Sequence, residues 1–207
     1  EHRPPKLKVG GSNPLGYTPI QESSFKFLVS FLRYNYHMNK KPGEQEGLYY
    51  DERSAGGIVY KIVNNQVLWF VIKTLSKKKS NKLSHKTSST VYKFPKGHLN
   101  QGEVLKQAAQ REVEEEGRIK TKIIDKVGSR DYLIWDQLSS KKIIKKVTFF
   151  LMEYQGESNL KYYDMEMVVA REWFSYEDAL KKLAYDFERN LLKKAKNKLD
   201  ALLKAKK

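Results

Sequence analysis

Residues 97–119, GHLNQGEVLKQAAQREVEEEGRI, constrain this chain more than any other stretch, because they concentrate acid where the surroundings are basic. The formal charge is +16 at pH 7, yet Glu112, Glu114, Glu115 and Glu116 crowd together. The Ala-, Leu- and Glu-rich composition after Glu103 predicts a helix running to about Gly117, with that glycine as its C-terminal cap. At 3.6 residues per turn Glu112, Glu115 and Glu116 share one face, while Glu114 points elsewhere. Carboxylates in a last helical turn oppose the helix dipole at roughly 0.3–1 kcal/mol each, and they repel one another. A bound cation reverses both penalties. Oxygen donors without cysteine or histidine favour a hard ion, Mg²⁺ or Mn²⁺, over zinc. The plainer alternative is a solvated acidic face paired with lysines.

Spacing separates the two. Gly97, Glu103 and the run Arg111-Glu112-Val113-x-Glu115-Glu116 resemble the Nudix hydrolase box, G-x5-E-x7-R-E-U-x-E-E-x-G-U, where U is aliphatic. A long gapped pattern of this kind is far less open to chance than a short motif. One departure stands out: the last glycine arrives one residue early, at Gly117, and Arg118 occupies its usual place. The resemblance implies an α/β fold, the Nudix α/β/α sandwich with a central mixed sheet between the box helix and the C-terminal helices. It implies metal ligation by Glu112, Glu115, Glu116 and the backbone carbonyl of Lys96, with Glu103 as a supporting carboxylate or outer ligand. Arg111 would orient the carboxylates, and Glu115 or Glu166 would act as the base.

Forty basic residues against 24 acidic ones point to an anionic partner, a nucleotide, RNA or an acidic surface. The absence of cysteine excludes disulfides and thiolate metal sites and fits a reducing compartment. The longest apolar run, residues 25–32, is broken by Lys26 and Ser30 and is too short to span a bilayer, so a cytoplasmic protein without membrane contact is expected. Residues 1–47 read as an N-terminal extension, rich in Pro and Gly over the first twenty positions, and residues 48–207 as the Nudix domain. Residues 1–37 are either partly a translated upstream reading frame, with initiation near Met38, or an ordinary flexible extension.

Within the domain, Ser54–Tyr60 and Val67–Thr74 predict a hairpin turning at Asn64-Asn65. Residues 76–90 form a Ser/Lys loop without hydrophobic period. Strands are expected at Ile119–Val127, Tyr132–Trp135 and Ile143–Glu153, with Val147–Met152 buried. Lys141, Lys142, Lys145 and Lys146 flank that last strand and are candidates to face a substrate cleft. Ser175 caps a helix through Ala184, and a longer helix from Phe187 to Lys206 carries an apolar stripe of Leu191, Leu192, Ala195, Leu199 and Leu202.

The run Phe94-Pro95-Lys96-Gly97-His98 is close to that of bacterial family members acting on long polyphosphate chains, and the C-terminal tail resembles bacterial diadenosine tetraphosphate hydrolases. Lys93, Lys96 and His98 are therefore candidate phosphate-binding residues, and Tyr132, Trp135 and Tyr185 candidate stacking partners for a base. The implied activity is hydrolysis of a pyrophosphate bond in a nucleoside diphosphate linked to another moiety, foremost diadenosine tetraphosphate to ATP and AMP. The alternatives are a pyrophosphohydrolase acting on RNA 5′-triphosphate ends and a nucleotide- or RNA-binding Nudix protein without turnover. Oligomeric state is not legible in the sequence.

Overall fold

The computed structural model describes residues 52–75, 90–136, 141–160 and 168–205, with the backbone alone at 133–136 and 141–143. Among the described residues seven strands are present, β1 (Glu52–Val63), β2 (Gln66–Leu75), β3 (Thr90–Lys93), β4 (Lys96–His98), β5 (Ile119–Asp136), β6 (Lys141–Glu157) and β7 (Val168–Phe174). Helices are α1 (Leu105–Gly117), α2 (Tyr176–Lys182) and α3 (Asp186–Ala205). The chain forms two compact units: one holds Arg53–Arg130 and the described part of Lys146–Lys207, the other Glu52 and the described part of Asp131–Lys145. The expected extension, residues 1–47, lies outside the described residues, as does the Ser/Lys loop up to residue 89.

One sheet runs in the order β3-β2-β1-β6-β5, with β4 paired to β1 and β7 paired to β2. The predicted hairpin forms. Asn64 and Asn65 have φ of 48° and 64°, and Val63 faces Gln66 across the turn. Two left-handed residues match the twist of the flanking strands, and asparagine tolerates that conformation better than most side chains. Strand β7 was not anticipated. It pairs antiparallel with β2 from Trp69↔Phe174 to Thr74↔Val168, with a shift at Lys73/Thr74, and sets Trp173 against Phe70 with ring centroids 5.0 Å apart.

Alternation along the strands builds a core on each face of the sheet. Ala55, Val59, Phe70, Ile72, Phe150 and Met152 pack with Ala108, Ala109 and Val113 of α1. Gly57 lets α1 approach, since a Cβ there would overlap the side chains of Val113 and Met152. On the opposite face Phe149 meets Phe94 and Phe187, with centroids 6.3 and 5.7 Å apart, and α3 buries Leu191, Leu192, Ala195 and Leu199. The expected sandwich is thus present.

Several details differ from expectation. Helix α2 stops at Lys182 rather than Ala184, because the Ala184 N–H donates to the Tyr92 carbonyl at 3.1 Å and Leu183 bridges to β3. Leu202 is 39% exposed and does not join the buried stripe of α3. Gly117 is the last helical residue, and Arg118 takes the left-handed cap with φ 59° and ψ 32°. Glycine is required at 117 for a different reason, a Cβ there lying 2.9 Å from the Phe70 ring. No helix among the described residues is long and apolar enough to cross a membrane.

The stripe of α3 yields a stability test. Leu192→Ala is expected to cost about 2–5 kcal/mol and lower Tm by roughly 5–15 °C, whereas Leu202→Ala stays within about 0.5 kcal/mol. Thermal melts of the two variants check it, and equal losses would contradict the packing of this helix.

Candidate active site

The site is assembled where α1 ends beside the β3–β4 corner. Helix α1 starts at Leu105 behind Val104, whose N–H donates to Gln107 Oε1 at 3.3 Å, while valine itself offers no side-chain cap. Upstream, Glu103 and Asn100 close a turn through reciprocal bonds, Glu103 N–H to the Asn100 carbonyl at 3.1 Å and Asn100 N–H to Glu103 Oε2 at 2.8 Å. This turn aims the Glu103 carboxylate back along the helix.

Arg111 is the centre of the arrangement. Its Nε donates to Glu103 Oε1 at 2.9 Å and one terminal nitrogen donates to Glu103 Oε2 at 2.8 Å and to the His98 carbonyl at 2.7 Å. The other terminal nitrogen donates to Glu112 Oε1 at 2.8 Å and Glu115 Oε2 at 2.9 Å. A planar, permanently charged fork can span partners in this way, and a lysine ammonium cannot. The Arg111 bond to Glu103 holds that carboxyl below the usual range. Both Glu103 oxygens are occupied, so this residue acts on Arg111 and the preceding turn. Burial is the main influence on Glu112 and pushes its pKa up, with Glu115 and Glu103 adding to the rise and Arg111 opposing it.

The loop leaves room for this cluster at one point only by lacking a side chain. A Cβ at Gly97 would collide with the Glu112 carboxylate. The first glycine of the motif is therefore the seat of its second glutamate.

Glu116 faces the other way. Its Oε2 accepts the Lys96 backbone N–H at 2.8 Å, and its Oε1 lies 3.8 Å from the Lys93 ammonium. Lys93, a candidate phosphate-binding residue, is buried at 4% exposure. Glu114 points to Ser158, whose hydroxyl donates to it at 2.6 Å, so it stands apart as expected, but Glu116 does not share the partners of Glu112 and Glu115 as the helix-face reading implied. Lys96 is half-buried, and His98 is exposed with its carbonyl committed to Arg111. Tyr185 sits half-buried just before α3, accepting the N–H groups of Glu188 and Arg189 at its carbonyl. Tyr132 is buried within the smaller unit, where Lys145 is also buried and paired with Glu52 at 3.1 Å. Lys145, a candidate to face a substrate cleft, is thereby a buried and paired cation. Glu166 and the side chains of Trp135 and Lys142 lie outside the described residues.

Two groups escaped the sequence analysis. Arg171 of β7 donates from Nε to the Glu116 carbonyl at 2.7 Å, placing a cation at the C-terminal end of α1, where it offsets the acidic turn. Only the pairing of β7 with β2 brings it there. Glu188 of α3 is 1% exposed, and its pKa is pushed up to about 8 by burial against the pull of Lys96 and Lys93. Its signal was present in the sequence: 188, 191, 192, 195 and 199 share one helix face, and the other four are apolar.

As they stand, no three acidic or histidine side chains among the described residues form a group that could hold a metal ion. Arg111 draws Glu112 and Glu115 together while Glu116 turns to the β3–β4 corner. The donors nevertheless fit a hard divalent ion in kind. Glu112 Oε2 and Glu115 Oε1 have no hydrogen-bonding or ion-pairing partner among the described residues, and a cation beside the buried Glu112 would relieve its desolvation.

With this geometry in place, comparison with known proteins gives the class. The NUDIX domain model matches residues 58–195, and the chain belongs to that family. Over 112 residues it is 33% identical to the candidate mutator protein MutT4 of Mycobacterium tuberculosis, covering 54% of this chain and 44% of that protein. The chain thus spans less than half the length of the curated relative it matches. Among solved structures, a Caenorhabditis elegans Ap4A hydrolase binary complex is similar with a TM-score of 0.51 at 22% identity, covering 72% of this chain and 98% of the other. The NUDIX domain of Shewanella oneidensis NrtR complexed with ADP ribose gives 0.51 at 15% identity, covering 80% and 97%. These likenesses concern the fold.

The depressed pKa of Glu103 sets a pH dependence. Its carboxylate stabilises the fold above the unfolded value, and that contribution is lost as pH falls through the lower folded value. The stability gap between wild type and Glu103→Gln is therefore expected to be full above about pH 5 and to close below the ordinary glutamate range near 4.3. Melts across pH 2.5–8, about five points, are enough to check it. A gap independent of pH would show that the charge of Glu103 contributes nothing.

Proposed function

We propose that this chain hydrolyses a pyrophosphate linkage in a nucleoside diphosphate joined to another group, with Mg²⁺ or Mn²⁺ as cofactor. The observation that carries this reading is the set of box carboxylates ordered by Arg111 beside the Lys96–His98 strand. Glu112, Glu115 and Glu116 would hold the ion with the Lys96 carbonyl. When bound, the ion neutralises phosphate charge and acidifies the attacking water. Arg111 fixes the carboxylates so that they need not reorganise during turnover. Glu115, with one oxygen not engaged by Arg111, and Glu166 are the groups to take the proton from water. Lys96 and His98 flank the phosphate path, and Tyr185 offers a face to a base.

The favoured substrate is a dinucleoside polyphosphate, diadenosine tetraphosphate giving ATP and AMP. Support comes from the Phe94–His98 run and from the C-terminal helices that pack behind it, and the fold is shared with an Ap4A hydrolase. The second reading is hydrolysis at a 5′-triphosphate RNA end, favoured by the +16 charge. Helix α3 supplies less of that charge than its composition suggests. Lys196 is paired with Asp200 and Lys198 with Asp125, while Lys193 and Lys194 are exposed.

Turnover of diadenosine tetraphosphate, 5′-triphosphate RNA and ADP ribose at matched ionic strength tests the choice. The dinucleotide is expected to give the highest kcat/KM, and a higher value for RNA would reverse the order. Activity should vanish with EDTA. Glu116→Gln should lower kcat by about a hundredfold or more, while Glu114→Gln changes it less than about threefold. No turnover of any of the three, with or without metal, would overturn the enzymatic reading.

A further inference from the structure

We infer that Arg171 of β7 is a positioning residue for Glu116: by fixing the backbone at the exit of α1, it sets where the Glu116 carboxylate stands for a metal ion. The inference rests on the metal-dependent reading above and adds to it a residue outside the box, 55 positions further along the chain.

An α-helix leaves its last four carbonyls without partners inside the helix, and in α1 these belong to the turn that carries Glu114, Glu115 and Glu116. That turn holds no basic residue of its own. Its partners come from outside the helix. The Arg118 N–H donates to the Glu114 carbonyl at 2.9 Å, and Arg171 Nε donates to the Glu116 carbonyl at 2.7 Å. The second bond falls on the backbone of a box glutamate. It is charge-assisted, and its cation offsets the negative end of the helix dipole.

Strand β7 bears on the same end of α1 at a second point. Residues 171 and 173 share one face of the strand, by the two-residue repeat of a β-strand, and β7 pairs with β2 through Ile72↔Arg171 and Phe70↔Trp173. The Trp173 ring lies 5.0 Å from that of Phe70, and a Cβ on Gly117 would come within 2.9 Å of the Phe70 ring. Phe70 is thus in contact with both the strand and the last helical residue. Trp173 is held in turn by the edge of Tyr154, with centroids 5.3 Å apart, and by the Lys61 ammonium 4.2 Å from its own centroid. Ring packing sets how close the end of α1 lies to the sheet, and the Arg171 bond fixes the direction of its final carbonyls. The Glu116 carbonyl and carboxylate hang from one Cα. Helix ends fray readily, and a last turn loosened at that carbonyl carries the carboxylate away from the Lys96 N–H that it now accepts at 2.8 Å. As a cation, Arg171 is no metal ligand, and it acts through the backbone of Glu116.

The test is Mn²⁺ binding without substrate, measured by electron paramagnetic resonance and calorimetry, for wild type, Arg171→Met, Arg171→Lys, Glu116→Gln and Leu199→Ala, with a thermal melt of each. Arg171→Met removes donor and charge, whereas Arg171→Lys keeps the charge and shifts the donor. Leu199→Ala opens a cavity under α3 instead, about three turns from Phe187, and is expected to lower Tm at least as far. Mn²⁺ is expected to bind about tenfold more weakly to Arg171→Met and about threefold more weakly to Arg171→Lys, while Leu199→Ala stays within about twofold of wild type. Should Arg171→Met fail to fold, Arg171→Lys decides. Wild-type affinity in the Arg171 variants would overturn the inference. A loss in Leu199→Ala equal to that in Arg171→Met would overturn it too, since the effect would then be one of general stability. Binding that is lost in Glu116→Gln but kept in both Arg171 variants would leave the metal reading intact and remove this one. No Mn²⁺ binding by wild type would overturn both.

Discussion

The structure of the site depends on one guanidinium. Three carboxylates, Glu103, Glu112 and Glu115, converge on Arg111, and the fourth acceptor is the His98 carbonyl of β4. Without a central cation, carboxylates spaced by one helical turn would repel and splay into solvent. Arg111 turns that repulsion into a fixed array and ties the helix to the strand that precedes it in sequence. Charge-assisted hydrogen bonds of this kind are stronger than neutral ones, and their fork geometry leaves few alternative rotamers. The array is held on one side only. Glu112 Oε2 and Glu115 Oε1 remain unengaged among the described residues, so order and availability coexist in the same side chains.

The sheet supplies the rest of the constraint. Gly57 admits α1 to one face, and the α3 stripe seals the other, so the β3–β4 corner lies between two packed helices. Phe94 is the pivot of that corner, fully buried against Phe149, while its neighbours Lys93 and Lys96 both engage Glu116. Disturbance of α3 would thus reach the acidic helix through backbone as well as through side chains.

Much of this was legible in the sequence, and the pattern of what was not has a physical cause. The box spacing located α1, Arg111 and the separate direction of Glu114, because helical periodicity is local. Asn64-Asn65 announced the hairpin for the same reason. Gly97 was recognised as a motif position, but its role as a seat for the Glu112 carboxylate depends on β4 packing on α1. Arg171, Lys93 and Glu188 were missed or misplaced because their partners lie across the sheet, 55 residues away for Arg171 and Glu116. Leu202 followed the stripe in sequence, yet the helix outruns the surface it covers. Strand β7 escaped because Ala170, Arg171 and Glu172 interrupt the apolar alternation that a half-buried strand should show.

The displaced glycine at the end of α1 bears on how relatives are found. Arg118 adopts the left-handed cap that a side chain enters at roughly 1–2 kcal/mol. It is held there by its N–H to the Glu114 carbonyl at 2.9 Å, by Ser158 N–H donating to its own carbonyl at 2.9 Å, and by its guanidinium on the Leu160 carbonyl. The exit is thus tethered by a segment some 40 residues downstream, and the spacing of the box glutamates before it is untouched. A pattern search that demands glycine at this position would discard the chain, although every glutamate of the box pattern is in register. Profiles that weight the glutamates and let the final glycine slide by one would recover sequences of this kind, and residues 158–160 indicate where to look for the compensating acceptors.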